Sequence, residues 1–292
     1  MKNLLDIQDL SAEEIRDLYA LTDRLKEDPR AFSEALENQS LVMLFAKPST
    51  RTRISFEAGM TELGGHAINF SESQSQLSRG ESLRDTAAVI SRYADGIMAR
   101  LGDHETLLEL EAGATVPVIN GLTDKLHPCQ ALADGYTLRE KGLEEGPVAY
   151  IGDGNNVAHS LMQLCAALEI PCRVATPEGY EPSSAIQDRI DHADITVTND
   201  PFEAVRGARA VYTDVFVSMG DEEGKRPDFE GFQVTTELMA ETDDAAFMHC
   251  LPAHRGEEVA AEVMDGPSSI VYDQAENRKH VQKAILRTLL EP

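Results

Sequence analysis

Lys47-Pro48-Ser49-Thr50-Arg51-Thr52-Arg53 sets three cations, Lys47, Arg51 and Arg53, beside the hydroxyls of Ser49 and Thr50. That combination binds anions. Before it, Leu41-Val42-Met43-Leu44-Phe45-Ala46 is an apolar run of the kind that forms a buried parallel strand, ending at Lys47. After it, Ile54 to Leu63 predicts a helix whose N-cap falls on Ser49 or Thr50. The unbonded N–H groups of a helix's first turn carry partial positive charge, so this strand-to-helix turn suits a phosphate. A basic helix start paired with surface acids is the plainer alternative. It weighs less because the rest of the chain is so poor in positive charge.

Other stretches carry chemistry as well. Gly152-Asp153-Gly154-Asn155-Asn156 falls between a predicted strand and a predicted helix, as a dinucleotide turn does. Val157 stands where the third glycine belongs, however, and Ala175-Thr176-Pro177-Glu178 offers only a loosely placed acid for a ribose. Its amides suit a small polar ligand better. His127, Cys129, His249 and Cys250 have the atoms for a zinc tetrahedron, but H-x-C and H-C are not familiar zinc spacings, and no metal is expected. Thr213-Asp214-Val215-Phe216-Val217-Ser218-Met219-Gly220 ends a strand on an acid, with a solvated loop as the plainer reading. Arg278, in Glu276-Asn277-Arg278-Lys279-His280, is by itself an ordinary helix cation.

These groups need a frame. Ser11-Ala12-Glu13-Glu14 is a capping box opening an amphipathic helix through Leu18, Leu21 and Leu25. Further strands are expected at His66–Phe70, Gly96–Arg100 and Thr115–Asn120, and a helix from about Ser82 to Tyr93. Ser71 to Gly80 reads as an exposed polar loop, and a helix follows His127-Pro128-Cys129-Gln130 to about Lys141. Gly142 to Pro147 is a charged, glycine-flanked break. Beyond it strands are expected at Val148–Ile151, Cys172–Ala175, Ile195–Thr198, Ala210–Val217, Ala246–Cys250 and Ile270–Tyr272, and a last helix over Asn277–Leu290. Alternation of strand and helix, twice over, predicts two α/β domains, each a parallel sheet flanked by helices. Ligands of such sheets bind off the carboxyl ends of the strands. That rule selects Lys47 to Arg53, Arg100, Gly152 to Asn156, Asp214 to Gly220 and His249 to Leu251, and places the site in a cleft between the domains.

The 292 residues carry Lys+Arg 26 against Asp+Glu 51, a net charge of -25, which excludes a general binder of nucleic acid or of acidic membranes. A hydrophobic content of 42% is enough for real cores. Cys129, Cys165, Cys172 and Cys250 show no C-x-x-C spacing, Met1 to Asp6 lacks an apolar signal core, and no stretch has the length of a membrane span. A reducing cytoplasm is the expected location.

Taken together, several of these stretches resemble the aspartate/ornithine carbamoyltransferase family. They are Lys47 to Arg53, His127-Pro128-Cys129-Gln130, Asp153-Gly154-Asn155-Asn156, Asp214 with Ser218-Met219-Gly220, His249-Cys250-Leu251-Pro252, and Glu276-Asn277-Arg278. S-T-R-T-R marks the family, while H-P-C-Q, S-M-G and H-C-L-P point to its ornithine branch. Phe216, where tryptophan is expected, and Ala46, where an acid is common, depart from the pattern at packing or rim positions.

The resemblance implies carbamoyl transfer from carbamoyl phosphate to the δ-amine of ornithine, without metal or organic cofactor. It implies a carbamoyl-phosphate-binding domain at 1–132, with the terminal helix 277–292 packed back on it, and an ornithine-binding domain at 133–276. Ser49, Thr50, Arg51 and Thr52 would hold the phosphate. Thr52, Arg100 and His127 would meet the carbonyl oxygen, and Gln130 with the carbonyls of Cys250 and Leu251 the carbamoyl amide. Arg278 would close the site, and Gln76 would come from a neighbouring subunit of a homotrimer or a multiple of one. Asn156, Asp214, Ser218 and Met219 would bind ornithine, with Cys250 near the attacking amine. Aspartate as acceptor would meet Asp214 and Asp221-Glu222-Glu223, and putrescine or an acylated ornithine would leave Asp214 idle. A protein that binds carbamoyl phosphate without turnover would need neither Cys250 nor the Asp214 loop.

Lysine is scarce and the acids are spread along the whole chain, which predicts a protein adapted to concentrated salt, where self-repulsion is screened. Stability should therefore rise with molar salt. Denaturation midpoints that do not move between dilute and molar salt would contradict this.

Overall fold

The computed structural model describes residues 1–72, 76–190, 192, 194–217 and 227–291, without the side chains of 78 and 79. It divides into two compact units, Met1–Ala133 with Asn277–Pro292, and Asp134–Glu276.

In the first unit, β1 (Ser40–Phe45), β2 (His66–Ser71), β3 (Gly96–Arg100) and β4 (Val118–Leu122) form a parallel sheet in the order β2-β1-β3-β4. Its helices are α1 (Ala12–Glu27), α2 (Thr50–Glu62), α3 (Leu83–Ile90), α4 (His104–Gly113) and the start of α5 (Pro128–Glu140). The expected capping box is present: Ser11 Oγ accepts from Glu14 N (3.2 Å) and the Glu14 carboxylate from Ser11 N (2.8 Å). Leu41 to Phe45 are all buried, as a central parallel strand requires. β4 begins at Val118 rather than Thr115, because Pro117 has no N–H to give a ladder. It also runs through Gly121 to Leu122, where the register against β3 shifts between Ala99 and Arg100. α4 fills a stretch with no expected element, started by Asp103, which accepts from Thr106 N (3.0 Å).

In the second unit, β5 (Val148–Ile151), β6 (Cys172–Ala175), β7 (Ile195–Thr198), β8 (Ala210–Thr213) and β9 (Ala246–His249) form a parallel sheet in the order β7-β6-β5-β8-β9. Helices α6 (Asn156–Leu168), α7 (Ser184–Gln187), α8 (Pro201–Val205), α9 (Thr236–Met239) and α10 (Ala261–Met264) connect it. β8 stops at Thr213 instead of Val217, since its neighbour β9 ends at the paired residue His249. The strand expected at Ile270–Tyr272 is absent. Val271 opens α11 (Val271–Leu290), and Gln274 N already donates to Ile270 O (2.9 Å). Ile270 and Val271 look strand-like because they are β-branched, but Val271 is needed as a fully buried core residue at the helix start.

Each sheet has one point where successive strands depart to opposite sides, between β1 and β3 in the first and between β5 and β8 in the second. Crevices at such switch points, beyond the carboxyl ends, are where ligands bind. The chain places Lys47 to Arg53 after β1 and Arg100 at the last position of β3, and Gly152 to Asn156 and Asp214 after β5 and β8. No helix among the described residues is long and apolar enough to cross a membrane.

α11 returns to the first unit and grips the far end of α2. Lys279 Nζ and Lys283 Nζ each lie 2.7 Å from one carboxylate oxygen of Glu62. Burial alone would raise the Glu62 carboxyl, but the two lysine hydrogen bonds outweigh it and hold the group below its ordinary value. A depressed carboxyl contributes stability that is complete above its unfolded-state value and lost as pH falls through the folded one, so Glu62→Gln should flatten the acid limb of stability against pH. The Lys283 stem is buried, so Lys283→Ala should cost about 2 kcal/mol, mostly in packing. Lys283→Met should recover most of that loss, as read by urea denaturation at fixed salt.

Candidate functional site

The first unit gathers its polar groups at the start of α2. Ser49 is the N-cap, extended at φ −153°, and its Oγ accepts from Thr52 N (3.4 Å). Thr50 is exposed, Arg51 half-buried and Thr52 buried. Arg278, buried on α11, forks over two neighbours: Nη1 donates to Gln130 Oε1 (2.6 Å) and Nη2 to Thr52 Oγ1 (3.3 Å). Gln282, one turn further on, turns its carbonyl to the same guanidinium, accepting from Nε (3.2 Å) and Nη2 (3.1 Å). Its NH2 donates to Ser55 Oγ (2.5 Å), and Ser55 Oγ donates to Arg51 O (2.6 Å). Gln282 is a supporting residue that sequence reasoning misses, since nothing in its local sequence marks it.

Burial, followed by the charges of Arg278 and Arg100, holds the His127 ring well below the ordinary histidine value. The ring is therefore neutral and can donate an N–H without carrying a charge. Cys129 differs from its neighbours: its Sγ donates to Asn120 O (3.3 Å) and burial pushes the thiol up to about 12. Both features fit a packing residue. Gln76 is exposed on a 3-10 turn, Gln76–Arg79, and no hydrogen bond among the described residues joins its side chain to this group.

The second unit builds its group on the ends of β5, β8 and β9. Gly154 passes so close to the next loop that a Cβ there would lie 2.3 Å from Pro182 N. Asn155 caps α6, its Oδ1 accepting from Val157 N (2.9 Å) and Ala158 N (3.2 Å). Its Nδ2 donates to Asp214 Oδ2 (3.0 Å), and Cys250 Sγ donates to Asp214 Oδ1 (2.9 Å). Both oxygens of that buried carboxylate are thus held. Asn155 falls within the strand-end stretch selected from the sequence but is given no ligand role there, although an Asn at a strand-to-helix turn is a cap signal. Asn156, which that reading does select, is the first helical residue and half-buried. Leu251, also half-buried, follows Cys250 with φ +60°.

Ser218 and Met219 lie outside the described residues. On the near side of that stretch Phe216 stacks on Phe229 (centroids 4.6 Å apart, 20° between planes), and Tyr180 tilts onto Phe229 at 4.9 Å. Phe216 is a buried packing residue.

Asp214, His249 and Cys250 offer ligand atoms within 4.8 Å of one another. Asn155 and Cys250 already use the carboxylate, and both ring nitrogens of His249 are engaged, with Leu251 N (2.8 Å) and Glu258 Oε1 (3.3 Å).

A neutral His127 has a direct signature. Its ring resonances should stay flat across the pH interval in which exposed histidines titrate, and Arg278→Met should move its titration upward, toward the ordinary value.

The carbamoyl-P binding domain of the aspartate/ornithine carbamoyltransferases matches residues 2–140, and the Asp/Orn binding domain of the same family matches residues 144–289. The chain is 61% identical to the catabolic ornithine carbamoyltransferase of Halobacterium salinarum, over 99% of each chain. It is 48% identical to the anabolic ornithine carbamoyltransferase of Pyrococcus furiosus, over 99% of this chain and 96% of that one. The solved ornithine carbamoyltransferase of Thermus thermophilus superposes with a TM-score of 0.91 at 44% identity, covering 99% of both chains. On these matches and this geometry, the chain belongs to the aspartate/ornithine carbamoyltransferase family.

Proposed function

We propose that the protein transfers the carbamoyl group of carbamoyl phosphate to the δ-amine of L-ornithine, releasing L-citrulline and phosphate. The observation that carries this reading is the convergence of Thr52, Gln130 and Arg278 on the N-terminus of α2, in a chain matched over its whole length by relatives of that name.

The chemistry needs charge stabilisation and positioning rather than a cofactor. The phosphate dianion sits on the N–H groups and side chains of Ser49, Thr50, Arg51 and Thr52, where helix dipole and guanidinium add. The amine nitrogen attacks the carbonyl carbon, and negative charge builds on its oxygen opposite Thr52, Arg100 and neutral His127. The C–O bond to phosphate then breaks, with the amine proton leaving to the departing phosphate or through Cys250. Gln130 and the carbonyls of Cys250 and Leu251 hold the carbamoyl amide, and Arg278 closes over it. Asp214 pairs with the α-ammonium of ornithine and Asn156 with its carboxylate, with Ser218 and Met219 completing that side. Gln76 serves the site of a neighbouring subunit in a homotrimer or a multiple of one. The acid-rich composition and the Halobacterium relative support a cytoplasmic enzyme working in concentrated salt.

The test is citrulline formation in molar salt, with ornithine, putrescine, aspartate and acetylornithine as parallel acceptors. Turnover with ornithine alone is expected, and activity with another acceptor would overturn the second half of the reading. Arg51→Ala and Asp214→Ala should each lower kcat/KM on the order of a hundredfold to a thousandfold. An alkylamine has a pKa of about 10.4, so kcat/KM for ornithine should climb from neutral into alkaline pH. A flat profile would show that the rate does not depend on the free amine.

A further inference from the structure

The geometry points to His249 and Glu258 as a positioning pair that sets the orientation of Cys250 and Leu251. The carbamoyl-transfer reading supplies the reason why that strand end matters, and the inference rests on it to that extent. Both side chains are fully buried, though neither belongs to the groups assigned to substrate. An acid buried this deeply needs a reason.

The hydrogen bonds supply one. His249 Nδ1 faces Leu251 N at 2.8 Å. A backbone N–H can only donate, so Nδ1 must present its lone pair, and the ring proton sits on Nε2. Nε2–H then points at Glu258 Oε1, 3.3 Å away. An imidazolium would set two donors against each other at Leu251, so the neutral Nε2–H tautomer is selected from both ends. Glu258 Oε1 also accepts from His254 N, which ties the carboxylate to the segment returning from the strand end. The His254 ring, half exposed, lies 3.7 Å from the other Glu258 oxygen. From the opposite side, His249 N donates to Gln274 Oε1 (2.9 Å), and Gln274 Nε2 donates to buried Asp134 Oδ1 (2.7 Å).

What the pair holds is a backbone that would not hold itself. Leu251 lies at φ +60°, a left-handed conformation that a branched side chain adopts only when its surroundings impose it. Accepting the Leu251 N–H imposes it. The carbonyls of Cys250 and Leu251, and the Cys250 thiol on Asp214, take their directions from that constraint.

The full-length protein tests this in two ways. Long-range nitrogen–proton NMR of the wild type, with the His249 signal identified by its loss in His249→Asn, should show a protonated Nε2 and a bare Nδ1. In kinetics, an Asn side chain can put its oxygen near the place of Nδ1, whereas a Gln reaches the place of Nε2. His249→Asn should therefore keep most of the activity, while His249→Gln and Glu258→Gln should lose about tenfold to a hundredfold in kcat/KM for ornithine, the usual effect of removing a group that orients a site residue. Inhibition by inorganic phosphate should be unchanged in all three, since the phosphate groups belong to the first unit. A wild-type Nδ1–H tautomer, equal losses in the Asn and Gln variants, full activity in Glu258→Gln, or phosphate inhibition weakening in step with turnover would each overturn the proposal. Should the wild type form no citrulline, the functional reading falls, and the tautomer measurement still decides the pair.

Discussion

One guanidinium organises the first unit. Arg278 is carried by α11, bonds Gln130 at the start of α5, and bonds Thr52 in the first turn of α2. A lysine could not do this, because only a planar fork reaches two partners in fixed directions. Both of those oxygens are neutral, so the bonds orient the fork without cancelling its charge. The neutrality of His127 follows partly from the same charge, with burial as the larger cause. In a chain of net charge -25, a buried cation beside a helix N-terminus is the local exception that the proposed phosphate site calls for.

The second unit solves a different problem, which is to keep an acid aimed. Asp214 receives one hydrogen bond on each oxygen, from Asn155 and from Cys250. Asn155 does this while also capping α6, so the helix start and the carboxylate are fixed by one side chain. The buried Tyr150 hydroxyl lies 3.4 Å from the same Asn155 oxygen, and burial with the nearby Asp214 charge keeps that phenol protonated.

What the sequence reveals and what it hides differ in kind. The end of β1 and the Ser49 cap are legible because an apolar run, a hydroxyl and a helical pattern follow one another within a dozen residues. Arg51 and Thr52 are legible as part of the cradle, Gln130 and Arg278 are selected through family resemblance, and the hydrogen bonds that join Thr52, Gln130 and Arg278 depend on contacts between distant segments. Gln282, Gln274 and Glu258 hold the selected residues in place, yet each sits in unremarkable local sequence and acquires its role only from a partner elsewhere in the chain, while Asn155 is legible as a cap but not as the partner of Asp214. The misread elements divide between a local and a tertiary cause. Pro117 trims β4 from within, where local signals suffice to explain the boundary afterwards. Ile270 and Val271 favour a strand locally, and the tertiary demand for a buried helix start overrides that preference.

The return of α11 has a consequence for how the chain is made. The second unit, Asp134 to Glu276, is continuous in sequence and can close as soon as it emerges from the ribosome. The first unit cannot. Glu62 waits for Lys279 and Lys283, and Thr52 and Gln130 wait for Arg278, across more than two hundred residues of synthesis in the case of Glu62 and Thr52. Until α11 is synthesised, the half that is translated first remains the half without its organising cation, so the order of translation and the order of completion run opposite to each other.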